Sequence, residues 1–208
     1  MFYLLSAVIG YLLGSIPTAF LVLKAKGIDI REAGTGNVGA MNSYEVTNSK
    51  YVGIFVFMGD AIKGLVSVYI PLLLFPYGFE YAAFALLFAV LAHCFNPWLG
   101  FKGGRGLAAA LGGTLLIAPF LAAFWIAGWV LTFLVKRDIL LGNIVANALT
   151  LIIPFCIPTI VYRYAFPRPD SVSSLMFFTA GLMIIIVIKH FEPMMELLTK
   201  LNLIKRTK

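Results

Sequence analysis

Six long runs of apolar residues follow one another along this chain of 208 residues, and they restrict its fold more than any other feature. A run of about 20 apolar residues matches the length of a helix that crosses a bilayer. The runs are residues 1–23, 51–75, 79–98, 106–135, 139–162 and 172–189. Charged residues make up 12% of the chain, against about 25% in soluble domains. The sequence therefore predicts an all-α, polytopic membrane helix bundle, with residues 1–208 forming a single domain.

The run at 106–135 is too long for one straight membrane helix. As a single helix it would measure about 45 Å, whereas the hydrocarbon core is about 30 Å thick. Pro119 is a natural break, because proline removes a helical hydrogen bond and clashes with the preceding turn. Two short helices fit this segment, and so does a re-entrant half-helix followed by a span.

Positive charge is unevenly distributed between the connecting segments and indicates an orientation. The basic segments are residues 24–50, 102–105, 136–137 and 200–208. The remaining long loop contains only Arg163 and Arg168. Membrane proteins concentrate Lys and Arg in cytoplasmic loops, and this rule accounts for the net charge of +7 without a nucleic-acid partner. If 106–135 crosses twice, the chain has about seven transmembrane helices with polar loops on the cytoplasmic face, an external N-terminus and a cytoplasmic C-terminus.

Polar side chains interrupt two of the apolar runs, where they are costly and commonly functional. Asp60 and Lys63 lie three residues apart on one face of the second helix. They form either an internal ion pair facing the bundle or a site that contacts substrate. Ser15 and Pro17 lie in the first run, where a proline kink either uses hydroxyl groups to satisfy the freed backbone or opens a polar pocket.

The polar segment after the first run has three glycines within six residues, Gly34, Gly36 and Gly39. Glycine permits positive φ angles, so that successive N–H groups can converge on an anion such as phosphate. Arg31 precedes these glycines and can add a bidentate contact. The candidate ligands in this segment are Arg31, Thr35, Gly36, Asn37, Gly39 and Asn42.

A second glycine-rich segment, residues 100–106, follows the third apolar run and precedes a helix of small residues. Two cations among four glycines at this position are typical of an anion site at a helix N-terminus, although a basic cytoplasmic loop is the alternative. The candidate ligands are Lys102, Gly103, Gly104 and Arg105. His190, at the end of the last run, would lie on the same face as both segments.

These features fit two functional classes. One is an enzyme that acts on phosphorylated, lipid-soluble substrates, and the other is a transporter of a phosphorylated metabolite. Transporters commonly consist of two related halves, and the sequence has no convincing internal repeat, which favours the enzyme. The sequence has no clustered metal ligands and no Ser-His-Asp arrangement with useful spacing, so we expect neither metal nor cofactor.

The ordered set of motifs resembles the bacterial acyl-phosphate:glycerol-3-phosphate acyltransferase family over nearly the whole chain. The matching positions are 14–17, 27–32, 34–37, Gly39, Asn42, Asp60, Lys63, Gly64, His93, 95–97 and 101–104. The resemblance implies that a fatty acyl group is transferred from acyl phosphate to the 1-hydroxyl of glycerol 3-phosphate, giving lysophosphatidic acid and phosphate. It also implies the bacterial inner membrane as the location. The implied partners are the lipid bilayer, both substrates and the soluble enzyme that makes acyl phosphate.

The resemblance and the two glycine segments together suggest roles for individual residues. Asn37, Lys102 and His190 are the expected catalytic residues, with His190 orienting or protonating a reacting oxygen. The expected substrate ligands are Ser15, Arg31, Thr35, Gly36, Gly39, Asn42, Gly103, Gly104 and Arg105. Acyl phosphate is already activated, so binding, orientation and charge neutralisation suffice and no protein nucleophile is expected. Which segment binds which phosphate is left open.

The chain departs from the family pattern at several positions. It has Glu45 in place of Arg, Arg105 in place of Lys, Pro193 in place of Asn, and Leu140 and Asn143 in place of two serines. Arg105 keeps the charge and Asn143 keeps a polar group. Glu45 reverses a charge and Pro193 removes a polar side chain, which predicts altered substrate preference or weaker activity. A catalytically inactive binder of a phosphorylated metabolite or lipid is the alternative, beside the transporter.

Overall fold

The computed structural model describes residues 1–76 and 78–200, and the regular structure of this part of the chain is helical. Its α-helices are α1 (Phe2–Gly14), α2 (Thr18–Lys24), α3 (Ala40–Thr47), α4 (Lys50–Leu74), α5 (Phe79–Cys94), α6 (Leu107–Ile117), α7 (Pro119–Lys136), α8 (Ile139–Cys156), α9 (Pro158–Arg163) and α10 (Val172–Lys200). A 3-10 turn covers Pro97–Leu99. Six helical stretches of the described residues are long and apolar enough to cross a membrane. The predicted all-α membrane bundle is confirmed.

The long run at 106–135 is divided at Ala118 into α6, with 11 residues, and α7, with 18. α6 is only about 16 Å long, less than the thickness of the hydrocarbon core. The loop after α9 contacts the end of α6, where the Phe166 N–H donates a hydrogen bond to the Ile117 carbonyl at 2.8 Å. The six long stretches and the short α6 together correspond to the approximately seven helices expected.

Three of the other apolar runs have boundaries that differ from those expected. The first is broken at Pro17, between α1 and α2, and the fifth is broken before Pro158. Both breaks have the same cause, because proline has no N–H to donate within a helix. The last run does not end at residue 189, since α10 continues through Pro193 to Lys200. The basic residues after Lys200 lie outside the described residues.

The helix ends form two faces of the bundle. The loop face carries the segment between α2 and α3, the segment between α5 and α6, and the turn between α7 and α8. The opposite face carries the start of α1, the turn between α4 and α5, and the segment between α9 and α10. On this opposite face the Phe2 and Tyr81 rings lie 5.7 Å apart, and the Asp170 N–H donates to the Glu80 carboxylate at 2.8 Å.

Helices α4 and α6 pack with their backbones in contact. A Cβ atom on Gly64 would overlap the Ala109 carbonyl, and one on Gly112 would overlap the Ala61 carbonyl. Glycines of α1 approach the backbone of α5 in the same way. Small residues allow this close approach, which is a common way to associate helices where lipid removes the hydrophobic driving force.

The close packing predicts a strong effect of one methyl group. We expect Gly112→Ala to destabilise the protein by about 1–3 kcal/mol, the usual cost of overpacking, and to lower its Tm in detergent by several degrees. Gly181→Ala is the matched control, because its Cβ would lie 3.4 Å from Leu87 in ordinary contact. Equal Tm values for the two purified variants would contradict the packing described for α4 and α6.

Candidate active site

A cleft of about 670 Å³ lies between α3 and α4 on one side and α7 and α8 on the other, with α6 between them. Its apolar lining includes Ile54, Phe57, Leu111, Trp125, Ile126 and Trp129. Its polar lining includes Asn37, Lys50, Asp60, His93, Arg105 and Asn143. The cleft therefore suits a ligand that combines a long apolar chain with a charged group.

The first glycine loop, residues 34–39, is organised by the side chain of Asn42. The amide nitrogen of Asn42 donates to the carbonyl oxygens of Ala33 and Asn37, each at 3.0 Å. Its amide oxygen accepts the N–H of Thr35 at 2.9 Å. The short contacts engage both amide hydrogens, so Asn42 holds the loop in shape here. The role predicted for it, direct contact with substrate, stays a prediction.

Backbone N–H groups of the first glycine loop also donate hydrogen bonds within this segment. The Gly36 N–H bonds to the Ala33 carbonyl at 3.1 Å, and the Gly39 N–H bonds to the Asn37 carbonyl at 3.0 Å. The Asn37 N–H faces the Thr35 hydroxyl at 3.4 Å. Among these residues, Asn37 and Gly39 line the cleft.

Arg31 is paired with a neighbouring carboxylate. Its Nε donates to the Asp29 carboxylate at 2.9 Å, and its guanidinium lies 5.1 Å from the centre of the Phe20 ring. The hydrogen bond from Arg31 lowers the pKa of Asp29 to about 2, and it raises the pKa of Arg31 in turn. A phosphate ligand would have to compete with Asp29 for this guanidinium.

The second glycine loop, residues 100–106, packs on the end of α5. The Gly104 N–H donates to the His93 carbonyl at 3.2 Å, and a Cβ on Gly103 would overlap the same carbonyl. A Cβ on Gly104 would overlap the His93 ring and would lie 2.7 Å from the Val38 carbonyl of the first loop. Gly104 is therefore the point at which the two glycine loops meet.

The two cations of the second glycine loop have different surroundings. Lys102 is exposed, whereas Arg105 is partly buried and lines the cleft. Burial lowers the pKa of Arg105, and the nearby carboxylates of Glu196, Glu45 and Glu192 act in the opposite direction. The charge-reversed position Glu45 therefore lies within electrostatic range of a cation of the site.

Ser15 lies at the break between α1 and α2. Its hydroxyl donates to the Leu12 carbonyl at 2.8 Å and accepts the indole N–H of Trp98 at 3.0 Å. Its own carbonyl accepts a hydrogen bond from the Asn96 side chain at 2.8 Å. These bonds satisfy the freed backbone and attach the break to the end of α5.

Asp60 and Lys63 form an ion pair of 2.8 Å inside the bundle. The Lys63 ammonium also donates to the Ile16 carbonyl at 2.8 Å, and Asp60 Oδ1 lies 3.7 Å from Nδ1 of His93. The internal pair expected from the sequence is present. Asp60 and His93 are in addition part of the wall of the cleft.

His190 is buried in α10, near Arg105. Its Nδ1 lies 2.8 Å from the Ile186 carbonyl, and a carbonyl oxygen can only accept, so Nδ1 carries the hydrogen. Nε2 then has a free lone pair, and it has no hydrogen-bond partner among the described residues. Nε2 is buried and His190 is not among the described residues that line the cleft, so it could accept a hydrogen bond from a ligand only after a local rearrangement.

Several cleft residues were not singled out as ligands from the sequence. From the sequence, Lys50 is one of the charges that indicate the orientation, and Asn143 is a departure from the family pattern. Trp125 and Trp129 lie four residues apart on α7, and this helical spacing was the available signal. The Trp125 indole is fixed, because it donates to Asn147 at 2.8 Å.

The chain is similar to known proteins over nearly its whole length. The family model for glycerol-3-phosphate acyltransferase matches residues 4–200. The chain belongs to the glycerol-3-phosphate acyltransferase family. The glycerol-3-phosphate acyltransferase of Trichlorobacter lovleyi is 38% identical over 188 residues, which cover 90% of each chain. That of Aquifex aeolicus is 33% identical over 192 residues, covering 92% of this chain and 93% of its own length.

Solved structures of the glycerol-3-phosphate acyltransferase family have the same fold. The crystal structure of PlsY (YgiH), an integral membrane glycerol 3-phosphate acyltransferase, in its glycerol 3-phosphate form is 32% identical with a TM-score of 0.80. The alignment covers 95% of this chain and 92% of that chain. The lysophosphatidic acid form gives a TM-score of 0.79. The family inferred from the motifs is therefore confirmed, and so is the integral membrane fold.

The hydrogen bonds of Asn42 predict a local effect of its replacement. Asn42→Asp removes two N–H donors and leaves the Ala33 and Asn37 carbonyls without this partner, at a cost of about 1–3 kcal/mol each. We expect amide hydrogen exchange in residues 34–39 to become at least about tenfold faster. Asn48→Asp, the same change at an exposed position, should leave that exchange unaltered. Unchanged exchange in Asn42→Asp would show that Asn42 does not organise the loop.

Proposed function

We propose that this protein transfers a fatty acyl group from acyl phosphate to the 1-hydroxyl of glycerol 3-phosphate, releasing lysophosphatidic acid and phosphate. The observation that carries this proposal is the cleft, which has cationic and polar groups beside an apolar wall. One substrate is a lipid-soluble anion and the other is a small phosphate ester, so both chemistries are required. Membership of the family supports the same activity.

The apolar wall of the cleft would hold the acyl chain. It is formed by aromatic and aliphatic side chains of α4, α6 and α7, such as Phe57, Leu111 and Trp129. Because lipid is as apolar as this wall, moving the chain out of the bilayer contributes little free energy, and the wall would mainly fix the position of the acyl carbonyl group. The chain would enter from the bilayer between α4 and α7.

The proposed reaction requires no protein nucleophile. The acceptor hydroxyl oxygen attacks the acyl carbonyl carbon, a new ester C–O bond forms, and the C–O bond to phosphate breaks. The hydroxyl proton is balanced by release of hydrogen phosphate. After a local rearrangement that exposes Nε2 of His190 to the cleft, its free lone pair would accept a hydrogen bond from the attacking hydroxyl and orient it.

Charge neutralisation would come from the polar end of the cleft. Arg105 and Lys50 line it, and we assign Lys102 to the rim, where it adds positive potential. We assign Asn37 and Gly39 of the first glycine loop to direct contact with substrate, since both line the cleft.

The other predicted site residues would either hold backbone segments in place or bind a phosphate only after a local rearrangement. Ser15 and Asn42 would hold backbone segments in place, given the hydrogen bonds that they make. We assign Gly103 and Gly104 to the contact between the second glycine loop and α5, where a Cβ would not fit. Arg31, Thr35 and Gly36 would bind a phosphate only after exchanging their present partners.

Glu45 would weaken the site relative to a chain with Arg at this position. Its carboxylate offsets part of the positive potential at Arg105, which a bound phosphate would otherwise use. Unlike the Asn of the family pattern, Pro193 has no side-chain group that can hydrogen-bond a ligand near His190. We therefore expect a lower affinity for glycerol 3-phosphate than in relatives that follow the family pattern.

The activity is tested with purified protein, acyl phosphate and glycerol 3-phosphate, by following phosphate release. We expect release that depends on glycerol 3-phosphate, and we expect Lys102→Ala to lower its rate about 10²-fold, as for loss of one charge-stabilising group. Lys26→Ala, an exposed cation elsewhere on the loop face, is the control and should retain the rate. If phosphate release by the wild-type protein did not depend on glycerol 3-phosphate, the proposed activity would be contradicted. A normal rate for Lys102→Ala would contradict only the role of this lysine in the site.

We propose that the protein lies in the bacterial inner membrane with the loop face in the cytoplasm. The support is the count of cations: Arg163 and Arg168 belong to the opposite face, whereas Lys24, Lys26 and Arg31 belong to the loop face. The N-terminus would then be external and the C-terminus cytoplasmic. In this orientation the cleft would receive acyl phosphate from the soluble enzyme that makes it.

This orientation predicts which engineered cysteines react from outside. In a background without Cys94 and Cys156, Asp170→Cys should react with a membrane-impermeant maleimide in intact spheroplasts. Lys26→Cys should react only after the membrane is permeabilised, because it lies on the loop face. The reverse pattern would contradict the proposed orientation.

A further inference from the structure

Three ionisable side chains are buried together within the membrane-spanning part of the bundle. Asp60, Lys63 and His93 are 2%, 5% and 6% exposed. Removing such groups from water is expensive, and an ion pair at this depth is weak support for stability on its own. The proposed reaction uses none of the three as a direct participant, so their position calls for another explanation.

The three residues form a connected chain that ends at the glycine loops. The Lys63 ammonium contacts Asp60 at 2.8 Å, and Asp60 Oδ1 lies 3.7 Å from Nδ1 of His93. The other ring nitrogen, Nε2, faces Gly104 so closely that a Cβ on that glycine would overlap it. Gly104 in turn lies against the Val38 carbonyl of the first loop.

The space between this chain and the glycine loops is nearly dry, whereas the other side of Asp60 and His93 borders the large cleft. A cavity of about 10 Å³ is bordered by all three side chains and by Val38 and Gly104. A volume of this size holds one water molecule at most. Electrostatic interactions are strong in such surroundings, because little solvent screens them. A change in the charge of Asp60 or Lys63 would therefore change the electrostatic potential at the His93 ring, whose Nδ1 lies 3.7 Å from Asp60 Oδ1.

We propose that Asp60, Lys63 and His93 form a positioning triad, in which the ion pair fixes the His93 ring and the ring fixes the contact between the two glycine loops. The inference rests on the proposed function, because the loops are taken to hold the phosphate groups. The triad contributes no atom to the reaction. Its effect is to set the spacing of the two phosphate-binding loops.

A second role of Lys63 has to be separated from positioning. Its ammonium also donates to the Ile16 carbonyl, which the break in the first span leaves without a helical partner. A purely structural triad would change stability and the fraction of folded protein, and both loops would keep their spacing. A positioning triad changes the affinity for phosphate in protein that is fully folded.

The test uses two variants that treat charge differently. Asp60→Asn/Lys63→Gln removes both charges together, so that no unpaired charge stays in the membrane, and it keeps hydrogen-bonding groups. His93→Gln leaves the ion pair intact and removes the ring. Thr179→Val is the control, because this buried hydroxyl donates to the Leu175 carbonyl of its own helix and is not part of the triad.

We expect both triad variants to fold, with the KM for glycerol 3-phosphate and the KM for acyl phosphate both raised at least fivefold, because the spacing of both loops changes. Amide exchange in residues 100–106 should accelerate at least tenfold, and the control should match wild type in each measurement. Unchanged KM and unchanged loop exchange in the folded variants overturn the triad. If wild-type protein shows no turnover, the proposed function fails, and loop exchange alone still decides whether the triad positions the loops.

Discussion

The break in the first membrane span is the constraint on which the site depends. A chain that interrupts a helix inside a membrane must find new partners for its backbone carbonyls, because lipid offers none. Here Asn96 bonds to the carbonyl of Ser15 and Lys63 bonds to that of Ile16. These two bonds attach the first span to α5 and α4 at one level of the bundle. The chain continues from the break as α2, and the segment after α2 forms the first glycine loop beside the second.

The close approach of the two loops leaves no room for side chains at their contact, and glycine has none. Gly103 and Gly104 lie directly on the carbonyl end of α5, where a side chain would not fit. Along α4 the cleft lining changes from Lys50 at the start of the helix to Phe57 two turns later, with the ion-paired Asp60 one turn beyond. A membrane enzyme that joins a water-soluble acceptor to a lipid-soluble donor needs this gradient, since each substrate arrives from a different solvent.

The sequence predicts the bundle well, because spans follow from apolar length and from the cost of unpaired backbone in lipid. It also predicts the segments that form the site, since Gly34, Gly36 and the 100–106 segment are recognisable without a structure. The roles of individual residues are less predictable. The amide hydrogens of Asn42, for example, are bonded inside the loop, and this depends on the three-dimensional hydrogen-bond geometry. Lys50 reaches the cleft only through the packing of α3 on α4, which no local pattern encodes.

The backbone contact between α4 and α6 also determines which wall of the cleft can move. With Gly64 and Gly112 seated against main-chain carbonyls, these two helices have no side-chain layer to compress and behave as one rigid block. The opposite wall is the hairpin of α7 and α8, in which Trp125 donates to Asn147 and Trp129 stacks on Phe133, so its side chains are held within the hairpin. Widening of the cleft for a bulkier donor, or for departure of the lipid product, would therefore require movement of the hairpin of α7 and α8, while α4 and α6 stay in place.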